Sequence, residues 1–224
     1  MTRKPKLKPI PSELIIERLR FENPWWQSGI IDGSLDVLPR RQYCDLFFPL
    51  VAEIAVRRAV VLMGPRRVGK TVMLYHAIQH LLTDRQVLPS RLCFISIDNP
   101  IYLNIGLGQL LHLATQAAGS SGPERCYVFF DEIQYLKDWE VHLKVLVDSY
   151  PQTKFIVSGS AAAALKLKSR ESGAGRFTDF MLPPLTFHEY IHMKRLDHLM
   201  QPATLNWQGS IKKFFTIILW KPIR

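Results

Sequence analysis

The sequence predicts a three-layer α/β fold, in which helices cover both faces of a parallel β-sheet. Short apolar runs rich in Val, Ile and Phe recur along the chain, and segments with helical apolar spacing alternate with them. Strands that are buried on both faces appear as continuous apolar runs, because neither side of the sheet meets water. Polar residues follow most of these runs, at the sheet edge where ligands of such folds bind.

The chain begins with a proline-rich lead-in over residues 1–50. A short helix is predicted after Ser12, in "SELIIERLRF", and the aromatic stretch "FENPWWQSG" follows it. The basic start has no apolar run behind it, so it does not resemble a secretory signal. We divide the chain into an N-terminal extension at 1–50, a nucleotide-binding domain at 51–195 and a divergent or truncated tail at 196–224.

From residue 57 onwards, strands and helices alternate. Leu74, Ile78 and Leu81 form the first helical stripe, Leu107 to Ala118 contain the second and Trp139 to Tyr150 contain the third. The predicted strands are "RAVVLM" (58–63), "RLCFISID" (91–98), "CYVFFDE" (126–132), "TKFIVSGS" (153–160) and "FTDFMLPP" (177–184).

The segment "GPRRVGKT" matches the phosphate-loop pattern G-x4-G-K-S/T between a predicted strand and a predicted helix. Glycines let the loop point successive N–H groups at an anion, and the helix N-terminus adds partial positive charge. Lys70 would reach the β- and γ-phosphates, and the Thr71 hydroxyl would bind Mg²⁺. The alternative is a strand-to-helix turn without a ligand. The predicted nucleotide-binding residues are Gly64, Pro65, Arg66, Arg67, Val68, Gly69, Lys70 and Thr71.

Two acidic residues end the third predicted strand. Asp131 would hold Mg²⁺ from the side opposite the loop, and Glu132 would polarise the attacking water. An acidic pair at this position also fits a helix cap or a solvated turn. Together with the phosphate loop, the pair favours nucleotide hydrolysis. No N-K-x-D motif for guanine recognition occurs in the sequence, so ATP is the expected nucleotide.

Two further candidates follow the fourth predicted strand. Ser158 would lie between the metal and the γ-phosphate, although serine also forms turns at strand ends. Arg176, in the glycine-containing "ESGAGRF", would act as an arginine finger in the same chain or in a neighbouring subunit. Most loop arginines are simply solvated, and that alternative stays open for Arg176.

Together, "GPRRVGKT", "FFDEIQYLKDWE", "KFIVSGS", "ESGAGRF" and "LPPLTFHEY" resemble the AAA-superfamily ATPases of bacteria and archaea that carry a C-terminal domain of unknown function. The resemblance covers roughly residues 20 to 195. It implies an ATP- and Mg²⁺-binding domain with strand order 5-1-4-3-2. It also implies the phosphate role for Gly64–Thr71, the metal role for Asp131 and the hydrolytic role for Glu132. Less firmly, it implies sensing roles for Ser158 and Arg176.

The resemblance ends before the tail, where "QPATLNWQGSIKKFFTIILWKPIR" does not match the helical lid that members of this family carry. The first functional hypothesis is an ATPase that drives a conformational change in a partner. The second is a nucleotide-dependent switch or DNA-associated module with little hydrolysis, since a missing lid would weaken turnover. The lead-in stretch "PRRQYCDLFF" is the predicted wall for the adenine base.

The segment "HEYIHMKRLDH" offers a third hypothesis, a zinc metalloprotease. His188, Glu189 and His192 fit H-E-x-x-H, and His198 stands where a third ligand would be. The turn glycine of that site is replaced by Arg195, so we expect the helix to continue past it. Thr186 and Glu189 also form a T-x-x-E capping box, which gives the glutamate a structural role. His76 and His80 share a helix face and are expected at the surface.

Composition limits the class of partner. The formal net charge is +10, which is compatible with nucleic acid or with a basic surface and tail alone. No apolar run is long enough to span a membrane. The three separated cysteines, Cys44, Cys93 and Cys126, indicate reduced thiols and a cytoplasmic protein. We expect an unidentified protein partner, and the sequence leaves homo-oligomerisation open.

Overall fold

The computed structural model describes residues 10–31, 33, 38–160 and 175–199. These residues fall into two compact units divided between Pro184 and Leu185. Three predictions lie outside the described residues: those for the basic start, for residues 161–174, which include most of "ESGAGRF", and for the tail from residue 200. The described residues contain no helix that is both long and apolar enough to cross a bilayer.

The first unit consists of one parallel five-stranded sheet with helices on both faces. Its strand order is β2-β3-β4-β1-β5, which confirms the predicted order 5-1-4-3-2. The strands are β1 (Ala59–Gly64), β2 (Leu92–Ser96), β3 (Tyr127–Asp131), β4 (Lys154–Ser160) and β5 (Phe177–Met181). The helices are α1 (Ser12–Glu22), α2 (Trp25–Ser28), α3 (Cys44–Ala52), α4 (Lys70–Thr83), α5 (Leu107–Ala117) and α6 (Trp139–Ser149).

Alternating residues of β1 divide the interior into two cores. Val61 and Met63 belong to the core covered by α1, α5 and α6. Val60 and Leu62 belong to the core covered by α3 and α4. Every residue of β1 is buried, which explains why its sequence is a continuous apolar run. The three-layer prediction is therefore confirmed.

The lead-in packs against the exposed edge of the sheet. The Asn23 amide nitrogen donates to the Phe94 carbonyl at 2.8 Å, and its oxygen accepts from the Phe94 N–H at 2.6 Å. The indole nitrogens of Trp25 and Trp26 both donate to the Leu92 carbonyl, at 3.0 and 2.7 Å. These side chains satisfy backbone groups of β2 that no further strand would pair. The segment "FENPWW" thus protects an edge strand.

The register aligns the strand ends at two opposite edges. Gly64 lies beside Ser160 and Asp131 beside Ser96, so the polar residues that follow β1, β3 and β4 meet at the carboxyl edge. At the amino edge, Ala59 lies beside Phe177. The three cysteines are buried and none is in a disulfide, which agrees with the expected reduced thiols.

The second unit contains helix α7, Phe187–Met193. Thr186 Oγ1 accepts the Glu189 N–H, and the Glu189 carboxylate accepts the Thr186 N–H, each at 3.2 Å. The capping box is therefore present as predicted. The helix ends at Met193 and Arg195 adopts φ 56°, so the prediction that it continues past Arg195 is wrong. A left-handed residue turns the chain here without glycine.

Candidate functional site

The loop between β1 and α4 has the backbone geometry of an anion cradle. Arg67 adopts φ 64° and Gly69 adopts φ 92°, and left-handed residues of this kind turn neighbouring N–H groups toward one side. A Cβ on Gly64 would lie 2.5 Å from the carbonyl oxygen of Leu182, so the close approach of two backbones requires glycine there.

Lys70 is the first residue of α4 and lies over this loop. Its ammonium donates to the carbonyl of Pro65 at 3.0 Å and to that of Gly64 at 3.3 Å, and the side chain is buried. By contrast, the side chains of Arg66 and Arg67 are exposed. The loop therefore offers backbone groups and one lysine to a ligand.

Thr71 and Asp131 meet although sixty positions separate them. The Thr71 hydroxyl donates to Asp131 Oδ2 at 2.7 Å, and the Ser158 hydroxyl donates to Oδ1. Burial raises the pKa of the Asp131 carboxyl, and these two hydroxyl bonds partly offset that effect. A hydroxyl and a carboxylate at one point form a donor set that suits Mg²⁺, a hard cation that prefers oxygen ligands. The residues present therefore fit the predicted metal.

Glu132 is held in an unusual conformation beside this pair. Its φ is 53°, and its N–H donates to Ser158 Oγ at 3.2 Å. A non-glycine residue in the left-handed region is strained, and such strain concentrates at functional sites. Ser158, which is fully buried, thus binds both acidic residues and fixes the direction in which the chain leaves β3.

Gln134 is a residue of this site that the sequence analysis missed. Its amide nitrogen donates to the Glu132 carboxylate, and its amide oxygen accepts the Ser160 N–H at 3.0 Å. A Cβ on Gly159 would lie 3.3 Å from the Gln134 oxygen and 3.1 Å from Met63 Sδ, so glycine leaves room for this side chain. The only signal in the sequence was its place two residues after Glu132.

Arg41 is the second residue that the sequence analysis missed. It is buried, with 7% of its surface exposed, and Nη1 donates to the Val68 carbonyl of the phosphate loop at 2.7 Å. Its Nη2 donates to the Pro183 carbonyl at 3.0 Å. Arg41 lies within "PRRQYCDLFF", so this stretch adjoins the phosphate loop, and its contact with adenine stays a prediction.

Arg176 lies at the other edge of the sheet. It directly precedes β5, and its carbonyl accepts the N–H of Ala59, the first residue of β1. Its Nε donates to Asp148 at 2.7 and 3.0 Å. The length of β1 therefore separates Arg176 from Gly64, and the geometry does not place an arginine finger in the same chain. A role in a neighbouring subunit stays a prediction.

The histidines of the zinc hypothesis do not assemble a metal site. Across residues 10–31, 33, 38–160 and 175–199, no three His, Cys, Asp or Glu side chains are grouped so as to hold a metal. His192 Nδ1 contacts Asp197 at 3.1 Å, and Glu189, which would be the general base of that motif, caps its own helix. His80 contacts Asp84 at 2.6 Å, whereas His76 is buried because α3 and the sheet cover α4, which corrects the expected surface position.

A cavity of about 860 Å³ opens beside Thr71 on the β2 side of the loop. Tyr75 and Phe94, whose rings stack 4.7 Å apart, contribute to its lining together with Ser96 at the end of β2. Arg18 of α1 also lines it and forms an ion pair with Glu22 at 2.9 Å. The site therefore extends from the Thr71 hydroxyl toward the lead-in helices.

The fold and this constellation agree with a comparison against protein families. A family model described as an AAA domain matches residues 56–191. The chain belongs to this AAA domain family. The AAA domain includes the phosphate loop, both acidic residues and Ser158, and the lead-in precedes it. Membership supports a nucleotide-binding, ATPase-type function.

Curated relatives of this AAA domain protein are uncharacterized. One from Haemophilus influenzae is 26% identical over 137 residues, which is 61% of this chain and 34% of the relative. One from Methanocaldococcus jannaschii is 28% identical over 201 residues, which is 90% of this chain and 42% of the relative. The chain therefore spans less than half the length of these relatives.

Among solved structures, the AAA domain is similar to C. elegans PCH-2. The TM-score is 0.44 at 15% identity, and the match covers 70% of this chain and 46% of PCH-2.

Proposed function

We propose that this protein binds ATP with Mg²⁺ and hydrolyses it, and that hydrolysis drives a conformational change in a protein partner. The observation that carries the proposal is the contact between the Thr71 hydroxyl and the Asp131 carboxylate at 2.7 Å. It joins a side chain of the phosphate loop to Asp131, the last residue of β3, which Glu132 directly follows. Phosphoryl transfer depends on such positioning, because the protein has little covalent chemistry to perform.

Each residue then has a defined task. The loop amides and Lys70 bind the β- and γ-phosphates, and Thr71 with Asp131 would hold Mg²⁺. When bound, the metal neutralises charge that develops on the phosphate oxygens. Glu132 orients the attacking water and accepts its proton. Gln134 holds the Glu132 carboxylate through a hydrogen bond, so it sets the direction from which that proton is accepted.

Ser158 positions the acidic pair. Its hydroxyl donates to Asp131 Oδ1 and accepts the backbone N–H of Glu132, so it fixes the Asp131 carboxylate relative to the backbone of Glu132. A serine buried between them has no room to move away. We therefore assign Ser158 a positioning role, rather than direct contact with the γ-phosphate.

Two variants test the proposal. Glu132→Gln should bind ATP but lose about 10²- to 10⁴-fold in turnover, which is the usual contribution of a general base. Lys70→Ala should lose ATP affinity, measured by calorimetry with Mg²⁺ present. Equal, slow turnover by the wild-type protein and Glu132→Gln would instead support a nucleotide-dependent switch. ATP affinity that survives in Lys70→Ala would contradict both readings.

Self-association, which a role for Arg176 in a neighbouring subunit requires, needs a separate measurement. A role for Arg176 in trans requires that a second copy bring it to the nucleotide, and its side chain, which is 39% exposed, would have to leave Asp148 to reach it. Sedimentation velocity with and without Mg-ATP should then show a nucleotide-dependent oligomer. Its loss in Arg176→Ala, but not in Lys194→Ala, would support the trans role. A monomer under all conditions would contradict it.

A further inference from the structure

The amino edge of the sheet, opposite the phosphate loop, carries a row of basic residues. Arg58 directly precedes β1, Arg91 directly precedes β2 and Arg125 precedes β3 by two positions. Lys154 is the first residue of β4, and Arg176 directly precedes β5. Because the strands are parallel and in register, these positions lie along one edge.

A cavity of about 600 Å³ lies at this edge and is lined by four arginines: Arg57, Arg85, Arg91 and Arg125. All four side chains are exposed. Among the described residues, none of the four guanidinium groups makes an ion pair or a side-chain hydrogen bond. We call this feature the arginine cavity. Concentrated, unpaired positive charge is costly for a fold and is the electrostatic footprint of an anionic ligand.

Two other basic groups at this edge are less available to a ligand than the four arginines of the cavity. The ammonium of Lys154 is buried against the Val56 carbonyl at 3.3 Å, and Glu53 is the acidic group that acts on it. Arg176, which precedes β5 at the same edge, is paired with Asp148.

We propose that the arginine cavity binds the phosphate backbone of nucleic acid. The guanidinium fork matches phosphate oxygens in pairs. Arg91 directly precedes β2 and Arg57 lies two positions before β1. Three inter-strand spacings, about 14 Å in all, separate these strands, so an extended polyanion can contact all four arginines whereas a single phosphate contacts part of the set. Leu88 and Pro151 add apolar lining against which sugars can pack. Because the proposed contacts are to phosphate, which every nucleotide carries, we expect affinity to depend little on base sequence.

Binding of a labelled oligonucleotide, followed by fluorescence anisotropy over roughly 50–200 mM salt, tests this proposal. Backbone contacts to a single strand contribute a slope of about −0.7 each in a plot of log affinity against log salt. Four contacts give about −3, and each Arg→Gln change should lower the magnitude by about 0.7. At about 0.1 M salt, one lost contact corresponds to about fivefold weaker binding.

The control is Lys144→Gln, which removes one positive charge from α6 away from the cavity, and its affinity and slope should match the wild type. Arg85→Gln and Arg125→Gln alter exposed side chains, and unchanged ATP affinity will show that each variant is folded.

Lys70→Ala should bind the oligonucleotide normally, so failure of the ATPase proposal leaves this test intact. Unchanged slopes in the arginine variants would overturn the proposal. Equal competition by polyglutamate or inorganic triphosphate would also overturn it, in favour of a peptide or a small anion.

Discussion

Arg41 makes the sharpest test of how the phosphate loop is held. Its guanidinium joins the loop, through the Val68 carbonyl, to the segment after β5, through the Pro183 carbonyl. These bonds link positions 27 and 142 residues away from it. Arg41→Ala should therefore loosen the loop and lower the stability of the first unit together.

The expected loss of stability follows from the two hydrogen bonds of Arg41, to the Val68 carbonyl at 2.7 Å and to the Pro183 carbonyl at 3.0 Å. Hydrogen bonds to a charged group contribute about 1.5–3 kcal/mol each. Val68 is only partly buried and its carbonyl can be hydrated after the change, so we take the lower end for both bonds. The free energy of unfolding should fall by about 3 kcal/mol, which lowers the Tm by about 6–12 °C for a chain of this size.

The neighbouring Arg40 provides the matched control. It is exposed, and its guanidinium lies 5.8 Å from the centre of the Phe48 ring, a contact worth about 0.5–1 kcal/mol. In urea unfolding and thermal scans, Arg40→Ala should lose the least stability, Arg41→Lys an intermediate amount and Arg41→Ala the most. An ammonium reaches only one carbonyl, which explains the intermediate value. Equal stability of Arg40→Ala and Arg41→Ala would refute this account.

Three further changes test other parts of the first unit. Gly64→Ala should cost about 1–3 kcal/mol and lower ATP affinity, because the new Cβ meets the Leu182 carbonyl. Ser158→Ala should raise the Mg²⁺ concentration needed for half-maximal turnover, since Asp131 loses a hydroxyl that orients it. Burial lowers the pKa of Lys154 to about 8 in the folded protein, below its ordinary value of 10.5. Between about pH 8 and 10.5 the folded protein has released this proton and the unfolded chain has not, so wild-type stability should rise with pH, by up to about 3 kcal/mol. Lys154→Met should remove that rise.

Each of these changes has its own control. Gly108→Ala should stabilise the protein by about 0.5–1 kcal/mol, because Gly108 lies in α5 with nothing within 4 Å of a new Cβ. If both glycine variants lose stability, the steric argument for Gly64 fails. An unchanged Mg²⁺ requirement in Ser158→Ala would remove its positioning role. A pH profile that is the same in Lys154→Met and wild type would mean that the folded ammonium stays hydrated.

Patterns local in sequence predicted most of the fold. The strand β1 and the loop after it follow from a six-residue apolar run and from glycines at positions 64 and 69, because burial and backbone freedom are properties of individual residues. The meeting of Asp131 with Thr71 was also predictable, because the carboxyl ends of parallel strands share one edge. The resemblance to AAA ATPases supplied the strand order, which apolar runs alone leave open.

Contacts made by side chains across long separations could not be predicted in this way. The Asn23 side chain bonds the backbone N–H and carbonyl of Phe94, as a neighbouring strand would. No pattern within the lead-in indicates which backbone groups it will meet. Arg41 appears in the sequence as one of two adjacent arginines, and only the packed structure separates the buried one from the exposed one. The basic row at the amino edge became visible only when the strand register was known.

Two short motifs in this chain matched known sites, and their neighbours explain why only one is assembled. The phosphate loop gains Asp131, Ser158 and Arg41 from distant parts of the chain, and each bonds to the loop or to its metal-binding hydroxyl and carboxylate. In H-E-x-x-H, Glu189 forms hydrogen bonds with Thr186, and His192 contacts Asp197. Geometry within the helix permits two histidine ligands, but a zinc site also needs further ligands, and among the described residues no three His, Cys, Asp or Glu side chains are grouped in this way. If zinc at equimolar concentration were nevertheless retained after dialysis and lost in His188→Ala, the histidines would have to recruit further ligands that the described residues do not group with them, and the conclusion that this motif is not assembled would fall.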